Sequence, residues 1–236
     1  MPDKHSVVLH EEWIAARKQF LAKEKEFTRL RDRLSRERRD LPWERVEKEY
    51  AFEGPEGKET LAELFDGRSQ LVVYHFMFGP GAKEGCRSCS FWADTIERNV
   101  VHLAHRDVTL IACSRAPYRE FEAFKKRLGW TFKWVSSAGS DFNFDYHVSF
   151  TPEDLAGEVT YNYRREKLGG PEHPGISVFY KDADGAIFHT YSTYGRGLDM
   201  MNGAYQYLDL VPKGRDEADQ KPFPMAWVRH RDRYGS

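Results

Sequence analysis

The sequence has few cysteines, no long apolar run and no excess of charge of either sign. The uncharged stretch of residues 71–82 is far too short to span a bilayer. The 36 basic and 37 acidic residues give a net charge of −1, which excludes a general attraction to nucleic acid or anionic membranes. Residues 1–10 also lack the basic-then-apolar order of a secretory signal. We therefore expect a cytoplasmic protein with no nucleic-acid or membrane partner.

Only three cysteines occur among the 236 residues, and two of them, Cys86 and Cys89, form a C-x-x-C pair. Cytoplasmic thiols stay reduced on average, so such a pair is more typical of a catalytic or metal-binding site than of a structural disulfide. The pair follows the apolar, strand-like run "QLVVYHFMF" and precedes a helix-like segment. Three interpretations are open: a redox couple, part of a metal site, or a loop pair without a role.

Around this pair, strand-like and helix-like segments alternate. Period-2 or continuous apolar runs predict strands, and apolar spacings of three and four predict helices. This order requires parallel strands joined by right-handed crossovers. Strands are predicted at 70–78, 107–114 and 131–137, helices at 89–104 and 117–128, then a hairpin over 175–194 and a closing helix over 198–211.

A charged segment free of glycine and proline, residues 10–40, precedes this core. Its larger apolar residues are spaced as on one stripe of a helix; they are Trp13, Phe20, Phe27, Leu30 and Leu34. A docking or dimerisation helix explains this stripe. A nucleic-acid arm is the alternative for the arginines of residues 29–39, but acidic residues are interleaved among them.

The changes in composition predict three regions. Residues 1–41 form an N-terminal helical extension, residues 42–211 the α/β domain, and residues 212–236 a Pro-rich, charged C-terminal tail. Proline and glycine near residues 42 and 54–57 mark the end of the helical pattern and the start of the sheet.

The position of the pair predicts its chemistry, because loops at the carboxyl ends of parallel strands gather at one sheet edge, where ligand sites collect. Cys86 would lie at a helix N-terminus, where free N–H groups and the dipole stabilise a thiolate. Arg87 adds a positive charge, and Ser88 completes the segment between the sulfurs. Cys89, in the first helical turn, would be buried and stay a thiol. This asymmetry suits dithiol–disulfide exchange in which Cys86 attacks and Cys89 resolves.

Two further residues end the next strand at the same edge. Arg115 is a candidate polar group lining the site, with a solvated loop arginine as the alternative. Cys113 is expected to be a small buried group, although a third redox thiol is the other possibility. Neither residue requires a cofactor, and we expect none.

A metal site would need more ligands than the pair supplies. The available histidines and the third cysteine are scattered, and the sequence has no second C-x-x-C. The candidates are His75, His102, His105, Cys113 and His147. The rival to an enzyme is therefore a non-catalytic binding module that holds a metal or small ligand near the cysteines.

The sequence resembles a known family through several long strings. "TLAELFDGRSQLVVYHFMFGP", "GCRSCSFWAD", "HLAHRDVTLIACSRAP" and "SDFNFDYHVSFTPE" are similar to the bacterial DUF899 family, over about residues 10–210. The resemblance implies a thioredoxin-like fold of the peroxiredoxin-type branch, with a central mixed sheet flanked by helices. It also implies dithiol–disulfide oxidoreductase chemistry on a protein or small-molecule thiol or disulfide.

The chain departs from the better-known members of that superfamily. The pair is C-R-S-C, where thioredoxin has C-G-P-C. Pro80 and Lys83 stand ahead of Cys86, so the proline of the peroxiredoxin signature is one place off and its hydroxyl residue is missing. We therefore do not expect a peroxidase of that mechanism.

Overall fold

The computed structural model describes residues 5–235. Within them it contains ten strands and six α-helices. The strands are β1 (Glu44–Arg45), β2 (Ala51–Gly54), β3 (Gly57–Thr60), β4 (Gln70–His75), β5 (Val108–Ser114), β6 (Trp134–Ser136), β7 (Val159–Tyr161), β8 (Arg164–Glu166), β9 (Gly175–Lys181) and β10 (Ile187–Tyr194). The helices are α1 (His10–Arg39), α2 (Arg87–Ala104), α3 (Tyr118–Arg127), α4 (Phe142–Asp145), α5 (Pro152–Leu155) and α6 (Gly203–Leu208).

Eight strands form one mixed sheet in the order β1-β10-β9-β4-β5-β6-β2-β3, and β7 pairs with β8 separately. β4, β5 and β6 are parallel neighbours, with α2 and α3 as their crossovers. β9 lies antiparallel to β4, and β10 antiparallel to β9. A strand–helix–strand unit beside an antiparallel hairpin is the thioredoxin-like arrangement. The predicted α/β fold with a mixed central sheet is therefore confirmed.

Both faces of the central strands are covered, which explains why β4 and β5 are apolar almost throughout. On one face α2 and α3 pack over an aromatic cluster that includes Phe76, Phe124 and Trp134. The opposite face is covered by a second cluster that includes Phe65 and Phe142. Alternate residues of each strand thus point into different cores.

The prediction of one closing helix over residues 198–211 is wrong, because two separate helical elements lie there. A 3-10 helix, Gly195–Met201, ends before Asn202, and α6 begins directly after it. The Asn202 side chain is buried, and it accepts a hydrogen bond from the Tyr205 N–H at 3.2 Å. Because an asparagine cap starts a helix, this contact separates the two elements.

The helix predicted at the N-terminus is present as α1, although none of its residues is buried. Near its C-terminal end the Arg38 guanidinium lies 4.9 Å from the centre of the Tyr191 ring. None of the helices within residues 5–235 combines the length and the apolar character that a membrane crossing requires. At the other end of the chain, Val228 and His230 are buried.

The packing of the sheet predicts a large difference between two leucine truncations. Leu71 in β4 is fully buried and Leu210 is 79% exposed. Leu71→Ala should lower the free energy of unfolding by about 2–5 kcal/mol, because it removes buried methyl groups and leaves a cavity. Leu210→Ala should change it by less than about 0.5 kcal/mol. Urea denaturation measures both, and equal effects would contradict this core.

Candidate active site

The loop between β4 and α2 carries the C-x-x-C pair. After His75 the chain follows β5 closely, because Phe76 donates its N–H to the Cys113 carbonyl at 2.9 Å. The chain then turns back, and the Cys86 N–H donates to the Met77 carbonyl at 3.2 Å. These backbone bonds bring Cys86 to the carboxyl edge of the parallel strands, as the sequence predicted.

Cys86 is the N-cap residue of α2. Its sulfur accepts a hydrogen bond from the backbone N–H of Cys89 at 3.4 Å. Its carbonyl accepts from both the N–H and the hydroxyl of Ser90, each at 2.9 Å. The sulfur therefore occupies the place where a helix N-terminus offers unpaired donors and positive potential.

The two thiols have opposite electrostatic environments. The Cys89 thiol, together with the N–H groups of Cys89 and Ser88, favours the charged form of Cys86 and lowers its pKa to about 6. Burial acts against this shift without reversing it. For Cys89, burial and the neighbouring Cys86 raise the pKa well above its ordinary value. Cys86 is half-buried and Cys89 is buried, which is the asymmetry that the sequence predicted.

The two residues between the cysteines differ in their contribution. Ser88 has both an N–H and a hydroxyl next to Cys86, and both lower the pKa of Cys86. Arg87 is exposed, and the largest causes of that lowered pKa are the bonds from Cys89 and Ser88. A role of Arg87 in the reaction stays a prediction.

Tyr74 lies behind the pair and was not singled out from the sequence. Its hydroxyl donates to the Cys89 carbonyl at 3.2 Å, and its side chain is buried. A buried tyrosine hydroxyl needs a polar partner. The presence of a tyrosine among the aliphatic residues of β4 could therefore have indicated a buried hydrogen bond behind the cysteine pair.

Arg115 forms an ion pair with Glu172, which packs against the loop between β4 and α2, and it is therefore not a solvated loop arginine. Its Nε donates to Glu172 Oε1 at 2.7 Å, while Ser149 donates to Glu172 Oε2 at 2.7 Å. Burial raises the pKa of Glu172, and the Ser149 and Arg115 contacts oppose this effect. Gly79 of the loop packs against this carboxylate, because a Cβ there would lie 3.3 Å from Glu172 Cγ. Sequence reasoning missed Glu172, which has no local motif.

Gly85, the residue before Cys86, is bound by a histidine of the C-terminal segment. His230 Nε2 donates to the Gly85 carbonyl at 2.9 Å, and Arg127 Nη2 lies 3.0 Å from His230 Nδ1. A guanidinium can only donate, so Nδ1 accepts and the ring proton sits on Nε2. Glu84 forms ion pairs with Arg127 and Arg233. Residues beyond 228 therefore contact the loop that leads to Cys86 and help to position it, which the sequence did not indicate.

Cys113 lies on the other side of the sheet. It packs in the core with Phe142, whereas Cys89 packs in the core beneath α2. Its thiol is fully buried and lies 3.6 Å from Asn143 Oδ1. Burial raises the pKa of Cys113 to about 12, so it is the small buried group that the sequence favoured.

The histidines considered as metal ligands do not gather around the pair. His75 is buried on the Cys113 side, its Nε2 lies 2.9 Å from the Ser177 hydroxyl, and burial lowers its pKa to about 3. Across residues 5–235 no group of three or more His, Cys, Asp or Glu side chains is placed to hold a metal ion.

Comparison with known proteins gives one family and several distant structures. The family model described as "Bacterial protein of unknown function (DUF899)" matches residues 2–234. Comparison with curated proteins gives no match.

Three solved structures illustrate the distant likenesses. Peroxidoxin BcpB from Mycobacterium tuberculosis is 13% identical, with 70% of this chain and 96% of that chain covered and a TM-score of 0.45. A cysteine-to-serine mutant of PrxQ from Xylella fastidiosa is 13% identical, covering 67% and 89%, with a TM-score of 0.42. A candidate thiol:disulfide interchange protein DsbE from Chlorobium tepidum is 12% identical, covering 68% and 95%, with a TM-score of 0.39. The fold assignment itself rests on the strand order described above.

Gly85 is required by the packing in front of Cys86. A Cβ at this position would lie 2.7 Å from ring carbons of both Phe76 and Phe124. Gly85→Ala should therefore lower the free energy of unfolding by about 1–3 kcal/mol through overpacking. At Gly157 a Cβ would meet nothing within 4 Å, so Gly157→Ala is the matched control, with a change of about 0.5 kcal/mol or less. Thermal or urea unfolding of both variants tests this, and an unchanged Gly85→Ala protein would contradict the contact.

The pKa of Cys86 predicts the pH dependence of its alkylation. The thiolate is the reactive form, so the iodoacetamide rate at Cys86, mapped by mass spectrometry, should rise with pH around a midpoint near 6. Cys89→Ala removes the largest cause of this low pKa, and the midpoint should move upward. A Cys86 that titrates near 8.5, like an unperturbed thiol, would contradict the described environment.

Proposed function

The chain belongs to the DUF899 family, and we propose that this protein is a thiol–disulfide oxidoreductase in which Cys86 attacks and Cys89 resolves. The observation that carries the proposal is the half-buried Cys86 sulfur at the N-cap of α2, with the buried thiol of Cys89 in the first turn of the same helix. This placement lowers the pKa of Cys86 to about 6 and raises that of Cys89. A thiolate near neutral pH with a protonated thiol beside it is the arrangement that disulfide exchange requires.

In the first step the Cys86 thiolate attacks one sulfur of a substrate disulfide. A bond forms between Cys86 and that sulfur, the substrate S–S bond breaks, and the second substrate sulfur leaves as a thiolate. The product is a mixed disulfide on Cys86. Because Cys89 is buried, an incoming substrate meets Cys86 first.

In the second step Cys89 attacks the Cys86 sulfur and releases the remaining substrate sulfur. Once Cys86 is in a mixed disulfide it carries no charge, so its contribution to the raised pKa of Cys89 is removed. The Cys89 proton passes to the thiolate that left in the first step. The two cysteines are then oxidised to a disulfide, and the substrate disulfide has become one thiol and one thiolate, which takes up a proton from water.

The remaining site residues support this chemistry either next to Cys86 or indirectly, through other residues. Ser88 lowers the pKa of the attacking Cys86 thiol. Arg115 acts through Glu172, which packs against the loop that leads to Cys86, and it is therefore a positioning residue. Arg87, exposed beside Cys86, is proposed to assist by its positive charge toward an incoming thiolate or disulfide.

The proposed partners follow from the same chemistry. They are a protein or small-molecule thiol or disulfide as substrate and a cellular thiol as reductant. A second copy of this chain is a further proposed partner, through the N-terminal helix. We place the protein in the cytoplasm, where a dithiol is returned to its reduced form by the thiol pool. Nucleic acid has no part in the proposal.

A non-catalytic binding module is the second candidate, and one cavity favours it. A space of about 520 Å³ lies between α2, the sheet and the 3-10 helix Gly195–Met201, next to Tyr74 and Trp92. Its lining is mainly apolar, as in pockets that bind small ligands. In this alternative a small apolar ligand would occupy the cavity, and the cysteines would take no part in binding it.

Trapping with glutathione disulfide distinguishes the steps. Cys89→Ser should retain one glutathione per chain on Cys86, because nothing resolves the mixed disulfide. The unaltered protein should form the Cys86–Cys89 disulfide and release glutathione, whereas Cys86→Ser should do neither. Cys113→Ser is the matched control and should behave like the unaltered protein, since Cys113 is buried on the other side of the sheet. Mass spectrometry after acid quenching reads all four.

The same preparations test the rival. A reversible two-electron reduction of the metal-free protein supports the oxidoreductase. An unreactive Cys86, or stoichiometric metal that is lost in both Cys86→Ser and Cys89→Ser, would overturn it in favour of a binding module.

A further inference from the structure

α1 is a long helix whose apolar side chains are exposed in the single chain. It has 30 residues, so its length is about 45 Å. None of these residues is buried. Phe20 is 56% and Phe27 66% exposed. Its C-terminal end meets β10 through Arg38 and Tyr191. An exposed apolar stripe of this length marks an interaction surface.

The stripe follows a heptad repeat. Trp13, Phe20, Phe27 and Leu34 are each seven residues apart and occupy one core position, a, of the repeat. The other core position, d, is occupied by Ala16, Lys23, Leu30 and Glu37. A seven-residue repeat keeps one seam on one side of a helix only if the helix supercoils around a similar partner. The repeat therefore points to a helical partner with the same spacing.

We propose that α1 of one chain binds α1 of a second copy in an antiparallel coiled coil. Two charged residues in the core positions set the direction. A parallel pair would place Lys23 against the second copy's Lys23, and Glu37 against the second copy's Glu37. Buried like charges are costly, and polar core residues of this kind specify orientation and register. The antiparallel direction separates both pairs.

In an antiparallel pair each a residue faces a d residue, and one register aligns all of them. Phe20 then faces Leu30, Leu34 faces Ala16, and Phe27 faces the aliphatic part of Lys23. The largest side chain, Trp13, faces Glu37, which can accept a hydrogen bond from the indole N–H. Large side chains thus meet smaller ones or flexible charged ones along the whole overlap.

The charges at the helix ends complement each other in the same register. The first turn carries Glu11 and Glu12, and the last turn carries Arg36, Arg38 and Arg39. Antiparallel pairing brings the acidic end of each helix beside the basic end of the other, whereas parallel pairing brings the basic ends together. The interface is isologous, with the same surface on both copies. It rests on α1 alone and is independent of the proposed redox function.

Sedimentation of the full-length chain tests the interface. The unaltered protein should be a dimer, and Phe20→Gln should raise the dimer dissociation constant roughly 10-fold or more, because it removes apolar area in two symmetry-related layers. Lys25→Gln introduces the same residue on the solvent side of the heptad and should leave the constant unchanged. A monomeric unaltered protein, or a dimer equally stable with Phe20→Gln, would overturn the proposal.

A spin-label distance tests the direction. In full-length Cys86→Ser, Cys89→Ser protein, a nitroxide on Glu11→Cys should lie about 40 Å from its counterpart in the antiparallel dimer, nearly a full helix length. A parallel pair would place the labels within about 20 Å, since paired helix axes are 8–10 Å apart. The long distance supports the proposed register, and the short one overturns it.

Discussion

The hydrogen bond from the Cys89 N–H to the Cys86 sulfur connects the fold to the proposed chemistry, because it makes the proposed attacking atom the cap of a structural helix. Helix N-termini normally recruit a serine, threonine, asparagine or aspartate oxygen for this place. With a sulfur there, the donors that α2 would otherwise leave unpaired stabilise the thiolate. The same turn places Cys89 below the surface, so one helix start produces both the low and the high pKa.

This arrangement holds only if α2 begins at Cys86, and residues distant in the sequence secure that start. Gly85 lets the chain pass between Phe76 and Phe124 without a Cβ. His230 fixes the carbonyl of Gly85, and Arg127 fixes the ring of His230. On the opposite side of the loop, Glu172 packs against Gly79. Tertiary contacts, as well as the local sequence, therefore fix the residue at which α2 begins.

That distinction explains what the sequence could predict. The positions of β4, α2, β5 and α3 follow from apolar periodicity, and the place of Cys86 follows from the strand-to-helix junction, because each is a local pattern. Glu172 and His230 act through partners far along the chain, and no spacing links them to Cys86. Asn202 was overlooked for a related reason. An asparagine inside an apolar helical pattern looks like a polar surface position until its burial and its bond to Tyr205 are known.

Ser88 distinguishes the C-R-S-C pair from the C-G-P-C pair of thioredoxin. In the C-G-P-C of thioredoxin the residue before the second cysteine is a proline, which has no N–H. Here the same place offers an N–H and a hydroxyl, and both lower the pKa of Cys86. Donors that stabilise the thiolate stabilise the reduced form of the pair, and a couple with a stabilised reduced form is a stronger oxidant. We infer that replacing proline by Ser88 raises the reduction potential of this couple relative to C-G-P-C.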